Sequence, residues 1–169
     1  MTKIYIDQAD ICTLSVDMIV CPTIFEENLP KTNIETRIHQ KAGPELLKEK
    51  QFLAHLTNQY PQITKGYKLF AKQVLHITFP PKNETKKLAD TYKQALQLAV
   101  ASGAKTIAFP CIESDINTAK IALQTTKNFL LNNFKLEKVY FVDLDTKNLK
   151  AYQRIDYYAK LLKEQKNAI

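Results

Sequence analysis

Asp10-Ile11-Cys12-Thr13-Leu14-Ser15-Val16-Asp17-Met18-Ile19-Val20-Cys21 is the stretch on which the fold turns. It opens on an aspartate, a residue whose carboxylate can hydrogen-bond its own backbone two residues on and so form a turn. It closes on Met18-Ile19-Val20, an apolar run too short for a helix and unbroken by polar side chains. Such a run, bounded by turn formers, reads as a strand covered on both faces. The segment therefore predicts a turn that feeds a buried strand at residues 17–21.

Working outward, the same kind of run recurs at 3–6, 73–78, 106–110 and 139–144, where Val139-Tyr140-Phe141-Val142 is almost continuous. The intervals between them have helical periodicity. Residues 87–101 place Leu88, Tyr92, Leu96 and Ala99 on one face, with Gly103 as a stop. Residues 118–131 do the same with Ile121, Ala122, Thr125, Phe129 and Leu130, and a last helix from about Lys147 carries Tyr152, Ile155, Ala159 and Leu162. Strands alternating with amphipathic helices predict an α/β fold, helices on both faces of a mostly parallel sheet. At 169 residues the chain has the size of one domain, spanning 1–169.

Composition narrows the classes of function. Hydrophobic residues make up 45% and charged residues 24%, the balance of a globular protein. No apolar run approaches the roughly 20 residues that cross a bilayer, and Met1-Thr2-Lys3-Ile4-Tyr5-Ile6 enters a strand pattern without the features of a signal peptide. A cytoplasmic protein with no membrane partner is expected. Cys12, Cys21 and Cys111 are an odd number without a CxxC pair, which argues for reduced thiols and against a metal site. No cofactor is expected. The net charge of +7 admits a polyanion partner, yet the lysines are scattered, which argues against a dedicated nucleic-acid face.

Five segments, in order, resemble one known family. Asp10–Val20 is similar to its opening Gly-Asp-Ile-Thr turn and Val-Asp-Ala-Ile-Val strand. Ile38-His39-Gln40-Lys41-Ala42-Gly43-Pro44-Glu45-Leu46 resembles a helix segment written Ile-His-Arg-Ala-Ala-Gly-Pro-Glu-Leu. Thr64-Lys65-Gly66-Tyr67 through Val74-Leu75-His76, Thr106-Ile107-Ala108-Phe109-Pro110-Cys111-Ile112, and Val139–Asp145 with Ala151-Tyr152 complete the series. The chain resembles the macrodomain family over residues 4–155. That resemblance implies a three-layer α-β-α fold with a mixed, mostly parallel central sheet, and an ADP-ribose site.

Carried over residue by residue, the resemblance implies that Asp10 accepts from an adenine amino group and that the Ile11 amide meets the ring. Turn stabilisation by Asp10 is the competing reading. Leu144 stands where the family often has an aromatic on the opposite wall. The resemblance extends the ligand site to Cys21, Thr23 and Ile24 after the second strand, to Lys31, Thr32, Asn33 and Ile34 in the first phosphate loop, and to Ser114, Asp115, Ile116 and Asn117 in the second.

Three departures stand out. A diphosphate nest uses backbone amides at glycines, but all three glycines, Gly43, Gly66 and Gly103, fall outside both loops. The first loop reads Leu29-Pro30-Lys31-Thr32 and the second Glu113-Ser114-Asp115-Ile116-Asn117. The family's Asn-Ala-Ala-Asn, whose last residue helps position ribose and water, is Cys21-Pro22-Thr23-Ile24. Glu35 matches the family's carboxylate and is a candidate general base, although a carboxylate in a first helical turn is also favoured by the helix dipole.

These features lead to a divergent macrodomain with degenerate phosphate loops. The expected role is a binding or regulatory module for an ADP-ribose-like nucleotide or a protein partner, without efficient hydrolysis. Two alternatives stay open: an ADP-ribosyl hydrolase using Glu35, and a basic nucleic-acid-binding module.

Overall fold

The computed structural model describes residues 3–23, 33–56, 61–112 and 115–167. Its centre is a six-stranded sheet built from β1 (Lys3–Gln8), β2 (Met18–Pro22), β3 (Gln62–Lys65), β4 (Gln73–Ile77), β5 (Thr106–Pro110) and β6 (Lys138–Asp143). The spatial order is β1-β6-β5-β2-β4-β3. Every pairing is parallel except that of β3 with β4. Five helices complete the layers: α1 (Asn33–Ala42), α2 (Pro44–Leu56), α3 (Thr85–Ala101), α4 (Ile116–Leu131) and α5 (Thr146–Asn167).

Alternation along each strand sorts the core into two halves, because successive side chains point to opposite faces. Met18, Val20, Leu75, Ile107, Phe109, Val139 and Phe141 join Tyr92, Leu96, Ala122 and Tyr152 beneath α3, α4 and α5. Ile19, Cys21, Val74, Ala108 and Val142 join Ile38, Ala42 and Leu46 beneath α1 and α2. Both faces of β2 are therefore buried, and the structure is the three-layer α/β arrangement expected from the apolar runs. An aromatic stack fixes the larger half, with the Phe109 and Phe141 rings stacked at 5.3 Å and Tyr92 tilted against Phe109 at 5.4 Å.

Three details differ from the sequence expectation. β3 was not anticipated, for it is four residues long and lies at the sheet edge. The segment Ile38–Leu46 is two helices and not one. Gly43 adopts φ +89° and its N–H closes on the His39 carbonyl, so α1 ends there and Pro44 opens α2, a position that tolerates its missing N–H. The buried face of α4 is Thr118, Ala119, Ala122, Leu123 and Thr126, rotated from the predicted one. Thr126 enters the core because its hydroxyl donates to the Ala122 carbonyl at 2.8 Å, which satisfies the buried oxygen.

Candidate functional site

Open α/β sheets bind ligands beyond the carboxyl ends of their parallel strands. At that end of β5 and β6 the chain forms a shallow cleft of about 40 Å³. One wall comes from the turn after β1, where Asp10 caps a single 3-10 turn, Ile11–Thr13. Asp10 Oδ1 accepts from the Cys12 N–H at 3.0 Å, and the Asp10 carbonyl accepts from the Thr13 hydroxyl at 2.8 Å. The aspartate at the head of the opening segment is thus a turn former in fact, with its side chain at the cleft edge.

The opposite wall is Leu144, 47% exposed, which follows β6. Its backbone is held from two sides: Gln8 Nε2 donates to the Leu144 carbonyl at 3.1 Å, and the Asp143 carboxylate accepts from the Asp145 N–H at 2.8 Å. Ile34 from the first turn of α1 and Val142 complete an apolar lining. Pockets that enclose whole ligands run to about 300–1,000 Å³, so this cleft is a corner with room for no more than the edge of a group.

The polar end of the corner is an ion pair that sequence reading missed. Arg37, one turn along α1 from Ile34, donates through Nη2 to Asp10 Oδ2. The Arg37 side chain is 40% exposed and that of Asp10 18%, so both remain accessible.

Glu35 turns toward α2, where Lys50 Nζ donates to its Oε1 at 2.9 Å. The two side chains are nearly removed from water, Glu35 at 4% exposure. Beside them His76 donates to or accepts from the Thr64 hydroxyl at 3.0 Å and lies 6.0 Å, ring to ring, from His39. Burial, with the Lys50 charge and His39, pushes the His76 pKa down to about 3, which keeps its imidazole neutral near pH 7. This polar cluster is built into the layer between α1, α2 and the sheet.

The structure brings Asp10, Ile11, Ile34 and Leu144 to one cleft. Cys21 instead lies fully buried in β2, and Thr23 is buried just after it with its hydroxyl 3.4 Å from that of Thr78. Asn33 is exposed at the first turn of α1. Asp115 caps α4, its Oδ2 accepting from the Thr118 N–H at 3.2 Å, and Ile116 follows, 39% exposed. Asp115 and Asn117 line a separate groove of about 670 Å³ with Lys82, Asn83, Lys120 and Gln124. Ile24, Lys31, Thr32 and Ser114 lie outside the described residues.

Burial holds two of the three thiols in the protonated form. Burial, together with the Asp10 charge, raises the Cys12 thiol to about 11, and burial raises Cys111 further, so both stay protonated. Among the described residues no group of three His, Cys, Asp or Glu side chains converges as metal ligands. None of the described helices is long and apolar enough to cross a membrane.

Comparison with known proteins places this arrangement. The O-acetyl-ADP-ribose deacetylase of Escherichia fergusonii is 32% identical over an alignment that covers 91% of this chain and 95% of that protein. An Oceanobacillus iheyensis macrodomain solved with ADP superposes with a TM-score of 0.79 at 27% identity, covering 90% of both chains. A Trypanosoma brucei macrodomain in complex with ADP-ribose gives 0.78 at 27% identity, covering 90% of this chain and 67% of that one. The family model described as Macro domain matches residues 26–125. With the three-layer fold and a cleft beyond the parallel strands, these matches make the chain a member of the macrodomain family.

Proposed function

We propose that this macrodomain is a binding or regulatory module for an ADP-ribose-class nucleotide, held through its purine end in the cleft between Asp10 and Leu144, without efficient hydrolysis. The observation that carries the reading is the contrast between two carboxylates. Asp10 is accessible at the end of an apolar corner, while Glu35, the candidate base, is buried and paired with Lys50. A general base must reach the proton that it removes and needs a pKa near the working pH. A carboxylate held by an ammonium group in the protein interior is engaged in a structural bond instead.

The loop sequences point the same way. Leu29-Pro30-Lys31-Thr32 and Glu113-Ser114-Asp115 contain no glycine, so the backbone nests that cradle a diphosphate are disfavoured. Binding energy then comes mainly from the purine end. Calorimetry on the full chain tests this: ADP-ribose should bind no better than about 10 µM, weakened severalfold in Asp10→Ala, a limit set by losing about 1.4 kcal/mol or more from a micromolar site. Absence of binding by ADP-ribose and by ADP overturns the nucleotide reading.

The similarity to proteins named O-acetyl-ADP-ribose deacetylase favours a second reading, hydrolysis of an ADP-ribose adduct. Release of acetate or of ADP-ribose, measured for the wild type and for Glu35→Gln, separates the two. Turnover in the wild type establishes the hydrolase, and its loss in a Glu35→Gln variant whose thermal melt matches the wild type assigns Glu35 to the mechanism. Turnover that is equal in both removes Glu35 from the mechanism.

A further inference from the structure

We infer that Arg37 sets the base preference of the cleft, making it accept 6-oxopurine nucleotides about as well as adenine nucleotides. The inference rests on the reading of the cleft as a purine site. It starts from the polar end of the corner, where Asp10 and Arg37 lie side by side, while the other carboxylate of the cleft lining, Asp143, accepts from the Asp145 N–H and the Asn148 side-chain amide.

A carboxylate offers about four lone-pair sites and no proton, whereas a guanidinium offers five N–H donors and no acceptor. Asp10 spends one site on the Cys12 N–H and one on Arg37, and Arg37 spends one N–H on Asp10. Both keep capacity, and both are accessible from the cleft. The edge presented to a ring between Ile11, Ile34 and Leu144 is therefore an acceptor next to a donor.

A carboxylate alone selects an amino group. The 6-amino group of adenine donates to it, while the 6-oxo group of hypoxanthine or guanine would set two electron-rich oxygens against each other. With Arg37 beside Asp10 this selection disappears. Along the ring edge adenine gives its amino hydrogen to Asp10 and takes an Arg37 N–H on N7, and a 6-oxopurine shifted by one ring position gives its N1–H to Asp10 and takes an Arg37 N–H on its carbonyl. Arginine is suited to the second role, since its planar fork is the commonest partner of a purine carbonyl edge.

ADP and inosine 5′-diphosphate differ only at the purine 6 and adjacent ring positions, which makes them the probes. Calorimetric titration of the full chain should give dissociation constants within about threefold of one another. Arg37→Ala should raise the preference for ADP to about tenfold or more, the discrimination expected when a paired base contact is lost. Arg37→Lys keeps the charge but not the fork and should fall between. Thermal melts of both variants report whether they fold. A tenfold or greater preference for ADP in the wild type, or a ratio unmoved in both folded variants, overturns the role of Arg37 while leaving the purine site standing. If neither nucleotide binds, the purine site and this inference fall together.

Discussion

Asp10 and Asp17 lie seven residues apart on either side of one buried approach to β2, and the chain uses them in opposite ways. At the amino end of the strand Asp17 is saturated. Its Oδ2 accepts from the Lys105 N–H at 2.9 Å, the Thr106 N–H at 3.1 Å and the Thr106 hydroxyl at 3.2 Å, and its Oδ1 accepts from Lys72 at 2.8 Å. It ties the start of β2 to the start of β5. Asp10, at the cleft, spends its carboxylate on one local amide and the part-exposed Arg37 side chain, and keeps room for more. A saturated carboxylate holds the fold together, and an unsaturated one keeps acceptor sites open. Glu35 lies in sequence near the cleft residues but is buried and paired with Lys50.

The strongest way to break that comparison is Lys50→Met. If Glu35 is a structural carboxylate, removing its ammonium partner leaves a charge in the interior, a change that costs about 3 kcal/mol. Urea denaturation at pH 7 should show that loss. A cost below about 1 kcal/mol would mean that Glu35 reaches water or takes a proton readily, which would move it from the structural group to the reactive one.

Asp17→Asn comes next. The variant keeps an acceptor but loses the charge that draws on two backbone donors, and hydrogen bonds to charged groups contribute about 1.5–3 kcal/mol, so a loss of about 2 kcal/mol is expected. Lys72 adds little, being largely exposed. Burial pushes the Asp17 carboxyl up, but the Lys72 hydrogen bond, the Lys105 and Thr106 amides and the Lys72 charge outweigh it and hold its pKa below the ordinary value. A depressed carboxyl stabilises the fold above its unfolded-state pKa of about 3.9 and loses that contribution as pH falls through the folded value. Denaturation curves measured from pH 5 to pH 2 should therefore fall less steeply for Asp17→Asn than for the wild type. Parallel slopes would show that the network does not favour the ionised form.

The parts of this molecule that were readable in sequence are those that local pattern determines. β2, β4, β5 and β6 are apolar runs because both of their faces are buried, and their positions follow from the runs within a residue. β3 is not readable in that way. In Gln62-Ile63-Thr64-Lys65 only Ile63 is apolar, and the segment is a strand because β4 offers it an antiparallel edge. The helix break between α1 and α2 has a local cause, Gly43 followed by Pro44, yet the continuous apolar spacing through Leu46 hid it. In the cleft, Asp10, Ile11, Ile34 and Leu144 came from resemblance to the family, and their convergence comes from the sheet order. Arg37 and Lys50 escaped notice for a physical reason. Lys50 is one of many lysines and Arg37 one of two arginines, and their partners lie 15 and 27 residues away, separations that no periodicity encodes.

The smallest expected effect on stability is at Arg37, and that is what makes it informative. Its pair with Asp10 is part-exposed, and pairs of that kind contribute about 0.2–1 kcal/mol. Arg37→Leu should therefore shift the urea midpoint very little, while Asp10→Ala, which also removes the acceptor for the Cys12 N–H, should cost about 1 kcal/mol through the lost cap. A double-mutant cycle on the two residues isolates the pair from the cap. A coupling below about 1 kcal/mol places Asp10 and Arg37 among groups that the fold does not depend on, which is the condition for a ligand to draw on them. A coupling of about 2 kcal/mol or more would make the pair a structural lock like Glu35 and Lys50, and the difference between the two ends of the opening segment would vanish.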